Sequence, residues 1–141
     1  MSFQSNGVDI TLLAAADLSA KQFFAVKVDS AGKAAVAGAG QTVAGILQND
    51  PASGQAGTVR VLGVSKAEAG GTVAAGDRVA ADANGALVAA TASTVNTSDA
   101  GGASDPVVGS NVIGIALEGA SAGEIFAVLI THSGAVPTTA A

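Results

Sequence analysis

At 141 residues and 13.3 kDa the chain fits one domain, and its 11 carboxylates against 6 basic residues give a formal net charge of −5. The basic residues Lys21, Lys27, Lys33, Arg60, Lys66 and Arg78 are scattered, so the clustered cationic surface that nucleic-acid binding needs is missing. With no cysteine there is no disulfide, thiolate metal site or thiol nucleophile.

Residues 1–9 read as a flexible N-terminal arm without the cationic and apolar pattern of a signal peptide. The run from Ile10 to Ala16 is too short for a membrane span and is flanked by Asp9 and Asp17, so no membrane partner is expected and synthesis belongs in a cytoplasm. From residue 10 to 131 the chain reads as a single all-β domain, a compact β-sandwich or barrel-like unit. Only a stretch around Ala14 to Gln22 has helical character, worth about one turn. Elsewhere short valine-rich runs are broken by glycine roughly every eight to twelve residues, the spacing of sandwich or barrel strands.

The domain carries an imperfect internal duplication, with copies at about 24–62 and 77–130. Val26-Lys27-Val28-Asp29-Ser30-Ala31-Gly32 aligns with Val79-Ala80-Ala81-Asp82-Ala83-Asn84-Gly85. Each reads as a strand, an Asp-x-x-Gly turn and a returning strand, because aspartate bonds its following backbone and glycine supplies positive φ. Val43-Ala44-Gly45-Ile46-Leu47, Ala52-Ser53-Gly54 and Val59-Arg60-Val61-Leu62 then match Val112-Ile113-Gly114-Ile115-Ala116-Leu117, Ser121-Ala122-Gly123 and Phe126-Ala127-Val128-Leu129-Ile130. The second copy gains a loop at about 92–110, rich in Thr, Ser, Asn, Gly and Asp and without apolar periodicity. Residues 132–141 read as a flexible C-terminal tail.

Alanine fills 33 positions and glycine 19, while Phe3, Phe23, Phe24 and Phe126 are the only aromatics. Buried alanine removes little apolar area from water. Such a chain is expected to draw stability from self-association or from docking on a partner.

Chemistry is sparse. His132 is the one histidine, so any nucleophilic triad or histidine metal site would have to use it, and its place near the end of the last strand favours a structural role. Asp29, Asp50, Asp77 and Asp82 all sit beside glycine or proline at turns, where aspartate is favoured for backbone reasons. Asp99, Asp105, Asn96 and Asn111 offer oxygens to a hard cation but match no calcium-loop spacing. Gly38-Ala39-Gly40 and Gly101-Gly102 lack the phosphate-loop pattern. The turn at Gly76-Asp77 is similar to that of biotinyl carrier domains, yet Lys66 lacks the context of a modified lysine. No enzyme, cofactor or metal site is expected.

One order of motifs remains: a strand ending in Asp-x-x-Gly, then Ala44-Gly45-Ile46-Leu47-Gln48-Asn49, Gly57-Thr58-Val59-Arg60-Val61, Ala75-Gly76-Asp77-Arg78-Val79, Asp82-Ala83-Asn84-Gly85 and a final Gly-Ile strand pair. Over about residues 10–131 this resembles the small capsid-decoration, or head cement, proteins of tailed bacteriophages. The resemblance implies a homotrimer on the outer surface of the expanded head, at three-fold positions, clamping neighbouring subunits of the major capsid protein. Phe3 as an apolar anchor, with Val8, Ile10 and Leu12 alternating as a strand, would then contact the capsid by adding to a sheet edge. The competing reading is a tail- or fibre-associated adhesin that binds a host glycan or receptor through the 92–110 loop. The missing Trp and Tyr speak against it.

Overall fold

The computed structural model describes residues 7–90 and 111–135, together with the backbone of Thr94–Val95 and Thr139–Ala140. Its elements are all strands: β1 (Val8–Leu13), β2 (Ala25–Val28), β3 (Ala34–Val36), β4 (Gly45–Leu47), β5 (Ala56–Glu68), β6 (Arg78–Ala81), β7 (Leu87–Ala89), β8 (Thr94–Val95), β9 (Asn111–Ala116), β10 (Ile125–Ala135) and β11 (Thr139–Ala140). A nine-stranded antiparallel sheet runs in the order β3-β2-β4-β5-β10-β9-β6-β7, with β1 added to β5, and curls into a half-barrel. β8 and β11 form a separate parallel pair. The all-β class read from glycine punctuation is the observed one.

That strand order reads the same from either end, because two equivalent modules meet in the middle. In the first, β1 pairs the front of β5, followed by β4 and the β2–β3 hairpin. In the second, the back of β5 pairs β10, followed by β9 and the β6–β7 hairpin. Strand β5 passes from one module to the next at Gly63, whose φ of 100° only glycine adopts cheaply.

The registers fix which residues correspond. Val26 faces Gly45 as Val79 faces Gly114, and Leu47 faces Val59 as Ala116 pairs Val128. Carrying the match back along β5 sets Ile10 against Ser65, since these oppose Val59 and Val128. The hydrogen bonds repeat too. Asp29 Oδ1 accepts from the amides of Ala31 and Lys33 at 2.9 and 2.8 Å, and Asp82 Oδ1 from those of Asn84 and Ala86 at 2.8 and 3.1 Å. Gln55 and Glu124 close matching turns by accepting from the amides of Ala52 and Ser121, both at 2.9 Å. Parallel bridges Ala14–Ala34 and Ala69–Leu87 draw each curled sheet together. At Gly45 and Gly114 the strands approach so closely that a Cβ would overlap the carbonyl oxygens of Arg60 and Leu129.

The segment around Ala14–Gln22 forms turns and no helix. The Ser19 amide donates to Asp17 Oδ1 and the Leu18 amide to Pro51 O, so tertiary and side-chain acceptors take the bonds a helical turn would need. Alanine propensity loses here to an Asp-initiated turn.

Two clusters make the core. Ala14, Leu18, Val26, Ala34, Leu47 and Val59 fill the first module. The second module's cluster, built around Phe126, Leu87, Ile113 and Val128, also takes in Ala25, Ala37, Val43 and Ile46 of the first. The corresponding interior positions trade volume. Leu12, Leu47 and Gly57 in one module stand where Ala67, Ala116 and Phe126 stand in the other, so a phenylalanine between alanines replaces a glycine between leucines.

Candidate docking surface

No catalytic arrangement assembles among the described residues. His132 sits at positive φ (50°) and is exposed, with Nε2 2.6 Å from Val61 O. It occupies the place of Gly63, where the strand leaves its module. Asp77 caps its own turn, accepting from the Ala74 amide at 3.0 Å, and Asp29 and Asp82 are committed to the turns described above. Asp50 is exposed ahead of Pro51. No group of three metal-ligating side chains occurs among the described residues. Asn111 donates to Gly40 O at 2.8 Å, a structural bond, while Asn96, Asp99, Asp105 and, apart from the backbone of Thr94–Val95, the 92–110 loop lie outside the described residues. An open recess of about 630 Å³ beside β2 is lined by Lys27, Val28, Gln41, Thr42, Ala44 and Asn111, with no acidic or nucleophilic convergence.

Apolar surface is the more informative feature. On β1, Val8 and Ile10 are exposed, whereas Leu12, paired with Gly57, packs half-buried against the first core cluster. Phe3 lies outside the described residues. β1 is held to β5 by its ladder and by a two-pronged ion pair, Arg60 Nε to Asp9 Oδ1 at 2.8 Å and Nη2 to Oδ2 at 3.2 Å. Its outer edge pairs with no described strand, which leaves backbone donors and acceptors available.

Further exposed apolar side chains are Leu13, Val28 and Leu62 near β1 and β2, and Leu117, Ile125 and Leu129 on the outer face of the second module. Sequence inspection picked out Val8 and Ile10 from their alternation but not Leu117, Ile125 or Leu129. Those lie in continuous apolar runs, where no alternation marks an outward side, and only the curl of the sheet shows which side faces out.

No family model and no curated protein matches the sequence. Among solved structures, the chain is similar to the head fiber gp8.5 N base of bacteriophage phi29, at 21% identity and a TM-score of 0.60, covering 90% of this chain and 96% of that one. The likeness takes in both modules and shows a shared fold, one used by a protein of a bacteriophage head.

Proposed function

We propose that the protein is a structural component of a bacteriophage head that decorates the outer surface of the expanded shell. The fold likeness to a phage head fiber base, along nearly the whole of both chains, is the observation that carries this reading. It agrees with the motif order that resembles head cement proteins. In this reading the chain acts as a trimer at three-fold positions and clamps neighbouring major-capsid subunits. A binder that favours the mature shell stabilises it by its differential affinity, multiplied over many sites. The free edge of β1, with Val8 and Ile10 beside it, suits addition to a capsid strand.

Mixing the purified protein with undecorated expanded and unexpanded heads, followed by sedimentation, tests the reading. Co-sedimentation with expanded heads and a raised shell-disruption temperature are expected. Equal binding to both head forms, or to neither, overturns it.

A further inference from the structure

The contact between the two modules identifies what fits two surfaces left open elsewhere. Within the chain, the outer face of β2 and β4 in the first module sits on the open end of the second. Gln48 Nε2 donates to Ser65 Oγ at 2.8 Å, the Ala25 amide to Gly85 O at 2.8 Å, and the Gly40 amide to Ala81 O at 2.9 Å. Ile46 is shut entirely into the second module's core.

Each partner has a counterpart that makes no such contact. Ile115 and Leu117 stand where Ile46 and Gln48 stand, and Ile10, Val28 and Gly32 where Ser65, Ala81 and Gly85 stand. Ser65 and Ala81 are 0% and 2% exposed, whereas Ile10 and Val28 are 39% and 50% exposed. A Cβ on Gly85 would overlap Val36 and crowd the Ala25 carbonyl, but one on Gly32 meets nothing within 4 Å. The chemistry has changed on both sides together. Inside the chain the touching pair is Gln48 with Ser65, a hydrogen bond. Their counterparts are Leu117 and Ile10, both apolar and both exposed. Matched apolar side chains at matched positions are what the same contact between two chains requires.

We propose that a second copy of this chain docks there, head to tail. The Ile115–Leu117 face of one copy sits on the Ile10–Val28 end of the next, so that the module contact inside the chain is repeated between chains. Because the two surfaces differ, the contact is heterologous and extends beyond a dimer, into a closed ring or a filament. This inference is independent of what the assembly binds and needs no capsid to test.

Ile10→Asp and Leu117→Asp each remove one surface and leave the other intact. Light scattering is expected to show assemblies larger than dimers for the wild type and monomers for each variant alone. Equimolar mixing of the two variants is expected to give dimers and nothing larger, since each mixed pair keeps one complete contact. As the chain has no cysteine, Ile10→Cys with Leu117→Cys gives a second reading, in which small, weakly apolar side chains stand at the contact and introduce no charge. Mild oxidation is expected to link successive chains into a ladder on a non-reducing gel. A wild type that stays monomeric at its highest soluble concentration overturns the proposal. So do variants that assemble like the wild type, a variant mixture that forms no dimers, or a double-cysteine chain that forms no interchain disulfide.

Discussion

Single residues reveal how local rules and packing divide the work. Gly32 and Gly85 occupy the same turn at nearly the same φ, +77° and +84°, yet one is open and the other is packed against the neighbouring module. Alanine at Gly32 therefore meets only the left-handed strain, about 1–2 kcal/mol. At Gly85 overpacking adds about 1–3 kcal/mol to the same strain. Urea unfolding of the two variants is expected to separate them, with Gly85→Ala clearly the less stable. Equal midpoints would mean that the modules do not press together at that turn. The aspartates of these turns were legible in sequence because their bonds span four residues or fewer. Asp17 is similar: hydrogen bonds from the Ser19 hydroxyl, and secondarily its amide, hold the carboxyl below its ordinary 3.8. A depressed carboxyl adds stability above its unfolded value and loses it as pH falls through the folded one. Asp17→Ala is accordingly expected to destabilise at neutral pH and to match the wild type below the carboxylate range, as read from thermal midpoints across pH.

Elements show where the sequence stops being readable. The hairpins announce themselves by Asp-x-x-Gly, but the opening strand of each module does not. Asp9, Ile10, Thr11, Leu12 and Leu13 share no residue with Val64, Ser65, Lys66, Ala67 and Glu68, and only the backbone pairing makes them equivalent. One sits at the sheet edge and the other is the second half of a strand shared between modules, so different burial selects different side chains. β1 depends on the Arg60–Asp9 pair, with the two side chains 14% and 33% exposed. Asp9→Asn removes the charge but not the shape, at a cost of about 1 kcal/mol or less. Hydrogen exchange is expected to quicken across β1 while β9 and β10 keep their protection. The traded core volumes give a sharper test. Phe126→Ala opens a cavity worth about 3–5 kcal/mol. In the first module Leu47 reaches within 3.3 Å of where a Gly57 Cβ would lie, so a leucine at Ala116 is placed to fill the same space. Phe126→Ala with Ala116→Leu is expected to unfold later in urea than Phe126→Ala alone.

At the scale of the whole molecule, two modules of unequal independence share one core. The first has a cluster of its own, while the second's cluster is completed by Ala25, Ala37, Val43 and Ile46 from the first. Neither module can unfold without exposing surface that the other needs, because Ile46 and Ala25 lie between the two interiors. The alanine-rich composition reinforces this, since little apolar area is available to stabilise either half alone. Equilibrium unfolding is therefore expected to be one cooperative transition, despite the repeat. Val59→Ala and Val128→Ala, at corresponding positions in the two interiors, each remove two buried methyl groups, roughly 2 kcal/mol. Both are expected to lower the same midpoint by similar amounts when measured at low protein concentration. Circular dichroism and the hydrogen exchange of each module should then report a single coincident curve. Two separated transitions, each sensitive to only one of the substitutions, would make the modules independent domains joined at Gly63.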